Sequence, residues 1–264
     1  MDNPFFYLLL GLLVAWIGSY FYSIQRNRKR LREIAYWLQD ALPLLGAKHT
    51  SQWRGADRLD IFVNEGRGNI REAALVGGMQ SRQLFKAVIS LIRGGRDSLT
   101  LLVSLQKPPA SGNEFEIFEA KMPVPRTVVG ASDSGNPWQI ENYARSNFYK
   151  LAFRTPNARE MASRILTLLL DDGFVVRRLS TRPGAPHIML VLNMSAAPKV
   201  EAAALLRLVK GLSDELPRSE QPGTKDRPGS RPSKSKPPSL PGKPLPKAKY
   251  SSNGFHSSNG HKGD

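Results

Sequence analysis

The longest apolar run in the chain lies at its N-terminus. Residues 5–24, FFYLLLGLLVAWIGSYFYSI, contain no charged side chain. A helix of this length spans about 30 Å, which matches the hydrocarbon core of a bilayer. Trp16, Tyr20 and Tyr22 lie in its second half, and such aromatic side chains favour the membrane interface. The pattern therefore predicts a transmembrane anchor over residues 1–25.

The charges on either side of this run predict its orientation. The leader MDNP carries no Lys or Arg, whereas QRNRKRLR follows the run directly. A cleaved signal peptide has the opposite order, with basic residues before the apolar stretch. Basic residues beside a span stay in the cytoplasm, so we predict a single-pass membrane protein with its N-terminus outside and its C-terminal domain in the cytoplasm. The basic residues of this segment are Arg26, Arg28, Lys29, Arg30 and Arg32.

A second helix is predicted directly after the anchor. Apolar residues between Leu31 and Leu45 recur at intervals of three and four, which is typical of a helix with one buried face. Pro43 and Gly46 mark its end. Residues 26–46 are therefore predicted to form a basic juxtamembrane segment and an amphipathic helix, and a polar stretch follows.

Short strands and helices alternate through the rest of the domain. A helix is predicted to begin at Ser81, a second to begin at Thr155 and Pro156 and to end before Gly173, and a third to cover residues 199–212. Runs of β-forming residues bounded by turn residues predict seven strands. They are residues 59–63, 70–76, 99–106, 114–121, 147–154, 174–179 and 187–194.

This order predicts the fold class. Helix, strand and strand follow one another twice, so we predict an α+β domain over residues 47–215, built from repeated helix-strand-strand units that form two similar layers. From residue 216 the composition changes to Pro, Gly, Ser and Lys with almost no large apolar side chains. Residues 216–264 are predicted to be a disordered basic tail, because such a segment buries too little surface to offset its conformational entropy.

The net charge of +16 is concentrated at the two ends of the domain. From Pro217 onward, ten Lys or Arg residues stand against three acidic ones. Spaced cations of this kind predict salt-sensitive binding to a polyanion, although a tail that only keeps the protein soluble has the same composition. The predicted polyanion contacts are the basic residues 26–32 given above and Lys234, Lys236, Lys243, Lys247 and Lys249.

The chain offers few residues for catalysis or metal binding. It has no cysteine, and neither His49 nor His187 has a partner at metal-ligand spacing. Glu114 and Glu116 alternate with Phe115 and Ile117, so we predict that both carboxylates lie on a solvated strand face. Gly77 and Gly78 lack the spacing of a phosphate-binding loop. We therefore expect no catalytic, cofactor-binding or metal site and no small-molecule substrate. This favours a binding module over an enzyme. An enzyme whose site is assembled from residues dispersed along the sequence is a further hypothesis.

Several segments occur in an order and spacing that resemble those of the calumin family, calcium-binding endoplasmic-reticulum proteins of the PAT intramembrane chaperone. The resemblance covers most of residues 5–215 and includes Gly66-Arg67, Arg82-Gln83 and Asn193. The segments are the anchor and the basic stretch, EIAYWLQDALPLL, EGRGNIREAALVGG, SRQLFKAVISLIRGGRDSLTLLVSL, and IMLVLNMS followed by a helix and a basic tail.

This resemblance implies a non-enzymatic role beside the protein-conducting channel and the ribosome, where the domain would assist insertion of multipass membrane proteins. The implied partners are membrane lipid, ribosomal RNA and channel subunits. A small membrane protein that contacts the anchor helix is a further candidate partner. Gly11 and Gly18 lie on one side of this helix, although small residues are common in membrane anchors that have no such partner. The family's acidic lumenal segment has no counterpart before residue 5, so the resemblance implies no calcium site. The alternative function is a membrane tether that binds DNA or anionic lipid through its basic segments.

Overall fold

The computed structural model describes residues 4–80, 97–110, 112–129, 137–194 and 200–217. The helices within these ranges are α1 (Pro4–Gln39), α2 (Arg126–Val129), α3 (Pro156–Asp171) and α4 (Ala202–Glu215), with one 3-10 turn at Leu42–Leu44. The strands are β1 (Gly46–Arg54), β2 (Arg58–Gly66), β3 (Ile70–Gly78), β4 (Ser98–Leu105), β5 (Phe115–Glu119), β6 (Gln139–Asn142), β7 (Tyr149–Phe153), β8 (Val176–Thr181) and β9 (Ile188–Asn193).

The predicted anchor and the predicted amphipathic helix form one element. α1 continues without interruption for 36 residues. The separate second helix predicted from Leu31 is therefore wrong, because residues 19–42 contain neither Gly nor Pro to interrupt the first. α1 is long and apolar enough to cross a membrane, with a mean hydropathy of 1.8 in a window of which no part is buried.

The C-terminal half of α1 lies against the domain. Its buried side chains follow one another at intervals of three or four residues, so they form a single stripe along the helix. The stripe begins with two polar residues, just where the apolar segment ends, and continues with apolar ones. Its members are Ser23, Asn27, Leu31, Ile34 and Leu38.

All nine strands pair in a single antiparallel sheet with the order β1-β2-β3-β4-β9-β8-β5-β7-β6. The strands of both predicted helix-strand-strand units therefore belong to one sheet and not to two packed layers. The hairpin of β8 and β9 lies between β4 and β5, which joins the first four strands to the last three. The helix predicted from Ser81, which would complete the first unit, lies outside the described residues.

One face of the sheet carries the hydrophobic core. α1, the 3-10 turn, α3 and α4 all contribute buried side chains to it. Adjacent strands place their large apolar residues in register, so each row is continuous across the sheet. The central row comprises Ile61, Leu75, Leu101, Leu190, Leu179, Ile117 and Leu151.

Local signals in the sequence are confirmed at α3. Thr155 is its N-cap, with Oγ1 accepting a hydrogen bond from the Ala158 N–H at 3.2 Å, and Pro156 is its first residue. Gly173 has φ +79° just beyond its end, a conformation that glycine adopts readily. The seven predicted strands are all present, while β1, β6 and α2 were not predicted. The predicted tail lies outside the described residues from residue 218 onward.

Candidate anion-binding site beside the anchor helix

The basic residues predicted from the sequence lie on α1, immediately after its apolar segment. Among the residues that the structure describes, Arg26, Arg28, Lys29 and Arg32 have no ion-pair partner. Arg28, Lys29 and Arg32 are exposed, and Arg26 is partly buried. These four side chains therefore keep their charge available to a ligand.

Arg30 has a different role, because it contacts the domain. Its Nη1 lies 2.8 Å from Asp97 Oδ2, and the Asp97 side chain is only 4% exposed. Asp97 Oδ1 also accepts a hydrogen bond from the Gln80 N–H at 2.8 Å, and Asn27 Nδ2 donates to the Gln80 carbonyl at 3.3 Å. Together these bonds attach α1 to the ends of β3 and β4, beside the apolar segment.

Replacing Asp97 by asparagine is expected to weaken this attachment. The amide keeps the shape of the side chain but removes the negative charge that lies 2.8 Å from the Arg30 guanidinium group, and we expect the free energy of unfolding to fall by about 2 kcal/mol. The measurement is thermal or urea unfolding of the detergent-solubilised protein, followed by tryptophan fluorescence. Asp40→Asn, an exposed position just beyond α1, is the control and should change little. Equal effects of the two substitutions would contradict the role given to Asp97.

The β1–β2 hairpin reaches the same part of α1. Its turn follows Arg54 and includes Gly55, which has φ +75°. Arg54 and Arg58 stand on either side of this turn and both pair with Asp60, at 2.8 and 2.7 Å. The hydrogen bond and charge of Asp60 raise the pKa of Arg58, whose charge is therefore permanent. The two arginines that flank the turn thus share one buried carboxylate.

A concave site lies between α1 and this hairpin. It has a volume of about 310 Å³ and is lined by Arg28, Arg32, Trp53 and Gly55. We call it the basic cleft. Trp53 is 44% exposed, so its indole is available to a ligand as well as to solvent. A second, more open cavity of about 380 Å³ borders the same helix and is lined by Tyr22, Gln25, Arg26, Lys29, Arg30 and Glu33.

The sequence pattern pointed to the arginines of the cleft but not to its other wall. Residues 46–54, GAKHTSQWR, are polar and were not predicted to be a strand, so Trp53 had no predicted position. The turn-forming sequence RGAD after Trp53 is the signal that indicates a hairpin here. The tail residues Lys234, Lys236, Lys243, Lys247 and Lys249 lie outside the described residues, so the structure does not relate them to the cleft.

The prediction that Glu114 and Glu116 lie on a solvated strand face is wrong. Glu116 is 1% exposed, and Glu114 is partly buried and pairs with Arg154 at 3.2 Å. Strand alternation indicates a solvated face only where nothing covers that face. Here Val128 of α2 and Trp138 cover the second face of β5, where they pack with Phe118 and Ala152.

The Glu116 carboxylate is fully engaged by the protein. Arg178 donates to both of its oxygens, from Nε at 2.9 Å and from Nη2 at 2.8 Å. The hydroxyl groups of Ser180 and Thr127 each donate to Oε1 at 2.8 Å. A carboxylate that already accepts four hydrogen bonds from the protein has little acceptor capacity left for a ligand. Its geometry favours a structural role.

His187 is also bound within the fold. Its Nδ1 accepts a hydrogen bond from the Leu105 N–H at 2.9 Å, and the side chain is buried. Burial, together with the charge of Arg71, lowers the pKa of this imidazole. The described ranges contain no group of three His, Asp or Glu side chains that could hold a metal ion. The basic cleft is therefore the strongest candidate for a ligand site.

No protein-family model matches the chain, and no curated protein matches it at a significant level. The resemblance to the calumin family therefore stays a prediction.

Proposed function

We propose that the chain is a membrane-anchored binding module that contacts polyanions at the cytoplasmic surface and assists membrane-protein insertion beside the ribosome and the protein-conducting channel. The observation that carries this proposal is the position of Arg26, Arg28, Lys29 and Arg32. These four cations lack an ion-pair partner within the described chain, and they occupy two turns of a helix that continues directly from the apolar segment.

This placement favours a polyanion close to the membrane. α1 is uninterrupted and is attached to the sheet through Arg30 and Asp97. If its apolar segment spans a bilayer, this arrangement would keep the basic residues next to the membrane. Ribosomal RNA bound at a membrane presents a dense array of phosphates to such a surface. Each phosphate neutralised by a protein cation releases a counterion, so binding should weaken as salt rises. The lysines of the tail would add to the same interaction.

The experiment is a pull-down from detergent-solubilised membranes at low and at raised salt. It compares the full chain with a chain truncated after Leu216 and with the variant Arg26→Gln/Lys29→Gln. We expect ribosomal RNA and channel subunits to bind the full chain. Raised salt, truncation and the double substitution should each reduce their recovery, and truncation should have the largest effect because it removes the most cations. The control variant is Arg207→Gln/Lys210→Gln, which removes the same charge from α4.

A second function is favoured by the shape of the basic cleft. A concave site with two arginines fits a single phosphate group better than it fits an extended nucleic-acid backbone. This shape supports a tether that binds anionic lipid. DNA is the other ligand of this alternative. Recovery of lipid or DNA without ribosomal RNA or channel subunits would overturn the first proposal and support the tether.

A further inference from the structure

We propose that the basic cleft binds the phosphate group of an anionic phospholipid, with Arg28 and Arg32 as its ligands and Trp53 as the wall that faces the bilayer. The inference deepens the membrane placement proposed above and rests on it. It assigns a defined site and a ligand class to two of the four α1 cations that have no ion-pair partner in the part of the chain that the structure describes.

The first argument is depth. Ile24 is the last residue of the uncharged segment, so Arg28 lies about 6 Å and Arg32 about 12 Å further along the axis of the helix. The polar headgroup layer on each side of a bilayer is about 5–8 Å thick. Side chains on a helix point back towards its N-terminus, which directs both guanidinium groups towards this layer.

The second argument is the chemistry of the lining. A guanidinium group presents a planar set of N–H donors that matches two phosphate oxygens, and the cleft contains two such groups that have no partner within the described ranges. Arg54 and Arg58 add charge close by, and Asp60 fixes both of them. The hairpin and the two helix arginines together bring four arginines against Asp57 and Asp60, so the net charge here favours an anion.

The third argument is Trp53. Tryptophan concentrates at membrane interfaces because its ring is apolar while its N–H needs a polar partner. Trp53 stands at the end of β1, partly exposed, on the wall of the same cleft as Arg28. An indole beside a phosphate site at this depth can contact the glycerol and the first acyl carbons of the lipid. That combination selects a lipid phosphate over a free phosphate ion.

The test uses the full chain in neutral detergent. Native mass spectrometry measures binding of phosphatidic acid, with phosphatidylcholine of the same acyl chains as the reference lipid. We expect one phosphatidic acid to bind preferentially. Arg28→Gln/Arg32→Gln should weaken this binding about tenfold or more, because it removes both charged donors. Arg26→Gln/Lys29→Gln removes the same charge from the same turns, but lies outside the cleft, and should weaken it about threefold or less.

Three results would overturn the inference. Equal losses in the two double variants would mean that the attraction is diffuse and that no cleft site exists. Unchanged affinity in Trp53→Leu would exclude the proposed wall. Displacement of the lipid by inorganic phosphate at comparable concentration would assign the site to soluble phosphate. Recovery of ribosomal RNA, measured on the same variants, reports the proposed function separately, so the failure of either can be told from the failure of the other.

Discussion

Replacing Glu116 by alanine is expected to lower the free energy of unfolding by about 3–5 kcal/mol. The carboxylate is buried and accepts hydrogen bonds from Arg178, Ser180 and Thr127. Alanine would leave a guanidinium group that is three-quarters buried, and two hydroxyl donors, without their acceptor. Such groups cannot regain full hydration inside the fold, so the substitution costs far more than the loss of a surface ion pair.

Two comparisons distinguish the loss of this buried carboxylate from the loss of an ordinary surface ion pair. Glu141→Ala removes the partner of Arg159 at an exposed pair, and we expect the free energy of unfolding to stay nearly unchanged because water screens that pair. Glu116→Leu combined with Arg178→Met removes both charges together and should recover most of the loss. Urea unfolding of the detergent-solubilised protein measures all of these variants. If Glu116→Ala lowers the free energy of unfolding no more than Glu141→Ala does, the hydrogen bonds to Glu116 do not stabilise the fold.

The role of Glu116 and its partners Arg178, Ser180 and Thr127 decides whether they form a candidate active site. A buried carboxylate among arginines resembles the environment of a catalytic acid, whereas the alternation of residues in β5 predicts a solvated carboxylate. In the structure its hydrogen-bonding capacity is used by neighbouring strands and by α2. Four cations that follow one another within two turns of α1, namely Arg26, Arg28, Lys29 and Arg32, have no carboxylate partner among the described residues. The candidate ligand site therefore lies beside α1 and not at the Glu116 carboxylate.

The sequence predicted those features that depend on neighbouring residues. The apolar run of α1 and the Thr155, Pro156 and Gly173 signals around α3 are local, so their physical causes are visible in the sequence itself. The same holds for β4 and β9, whose apolar residues are bounded by turn residues. Helix formation, capping and chain termination by glycine need no knowledge of the rest of the fold.

Other features depend on residues that are distant in the sequence. β1 is an edge strand with exposed side chains, so its sequence lacks the apolar alternation of a strand. Its presence follows from pairing with β2, which the sequence does not show. Arg30 differs from its four basic neighbours because it pairs with Asp97, which lies 67 residues further along the chain. The sequence around Arg30 does not show this partner. Trp53 contributes to the basic cleft only because the β1–β2 hairpin folds towards α1.

Gly66→Ala is the second substitution with a large expected effect. Gly66 ends β2, and a Cβ atom at this position would lie 2.4 Å from the carbonyl oxygen of Ile70 and 2.7 Å from its carbonyl carbon. Both are backbone atoms, so no side-chain rotation can relieve the overlap. The turn between β2 and β3 would have to move, and we expect a loss of about 3 kcal/mol in the free energy of unfolding, at the upper end of overpacking effects.

The surroundings of this turn make such a movement costly. The Arg67 N–H donates to the Leu45 carbonyl at 2.7 Å. Asn69 joins the turn to two other elements, because its Oδ1 accepts from the Lys107 N–H at 3.0 Å and its Nδ2 donates to the Ser213 carbonyl at 2.8 Å. Displacement of the turn would lengthen these bonds together, and the end of α4 would lose an attachment to the sheet.

Gly211→Ala provides a control of opposite sign. Gly211 lies within α4 with open space around the position of a Cβ atom, so alanine fits there and should raise the free energy of unfolding by about 1 kcal/mol through its higher helix propensity. Thermal unfolding of the two variants side by side measures the contrast. The same chemical change, the addition of one methyl group, should destabilise the protein at one position and stabilise it at the other. A Gly66→Ala protein as stable as the unsubstituted chain would show that the β2–β3 turn can move without loss, and that Asn69 does not fix its position.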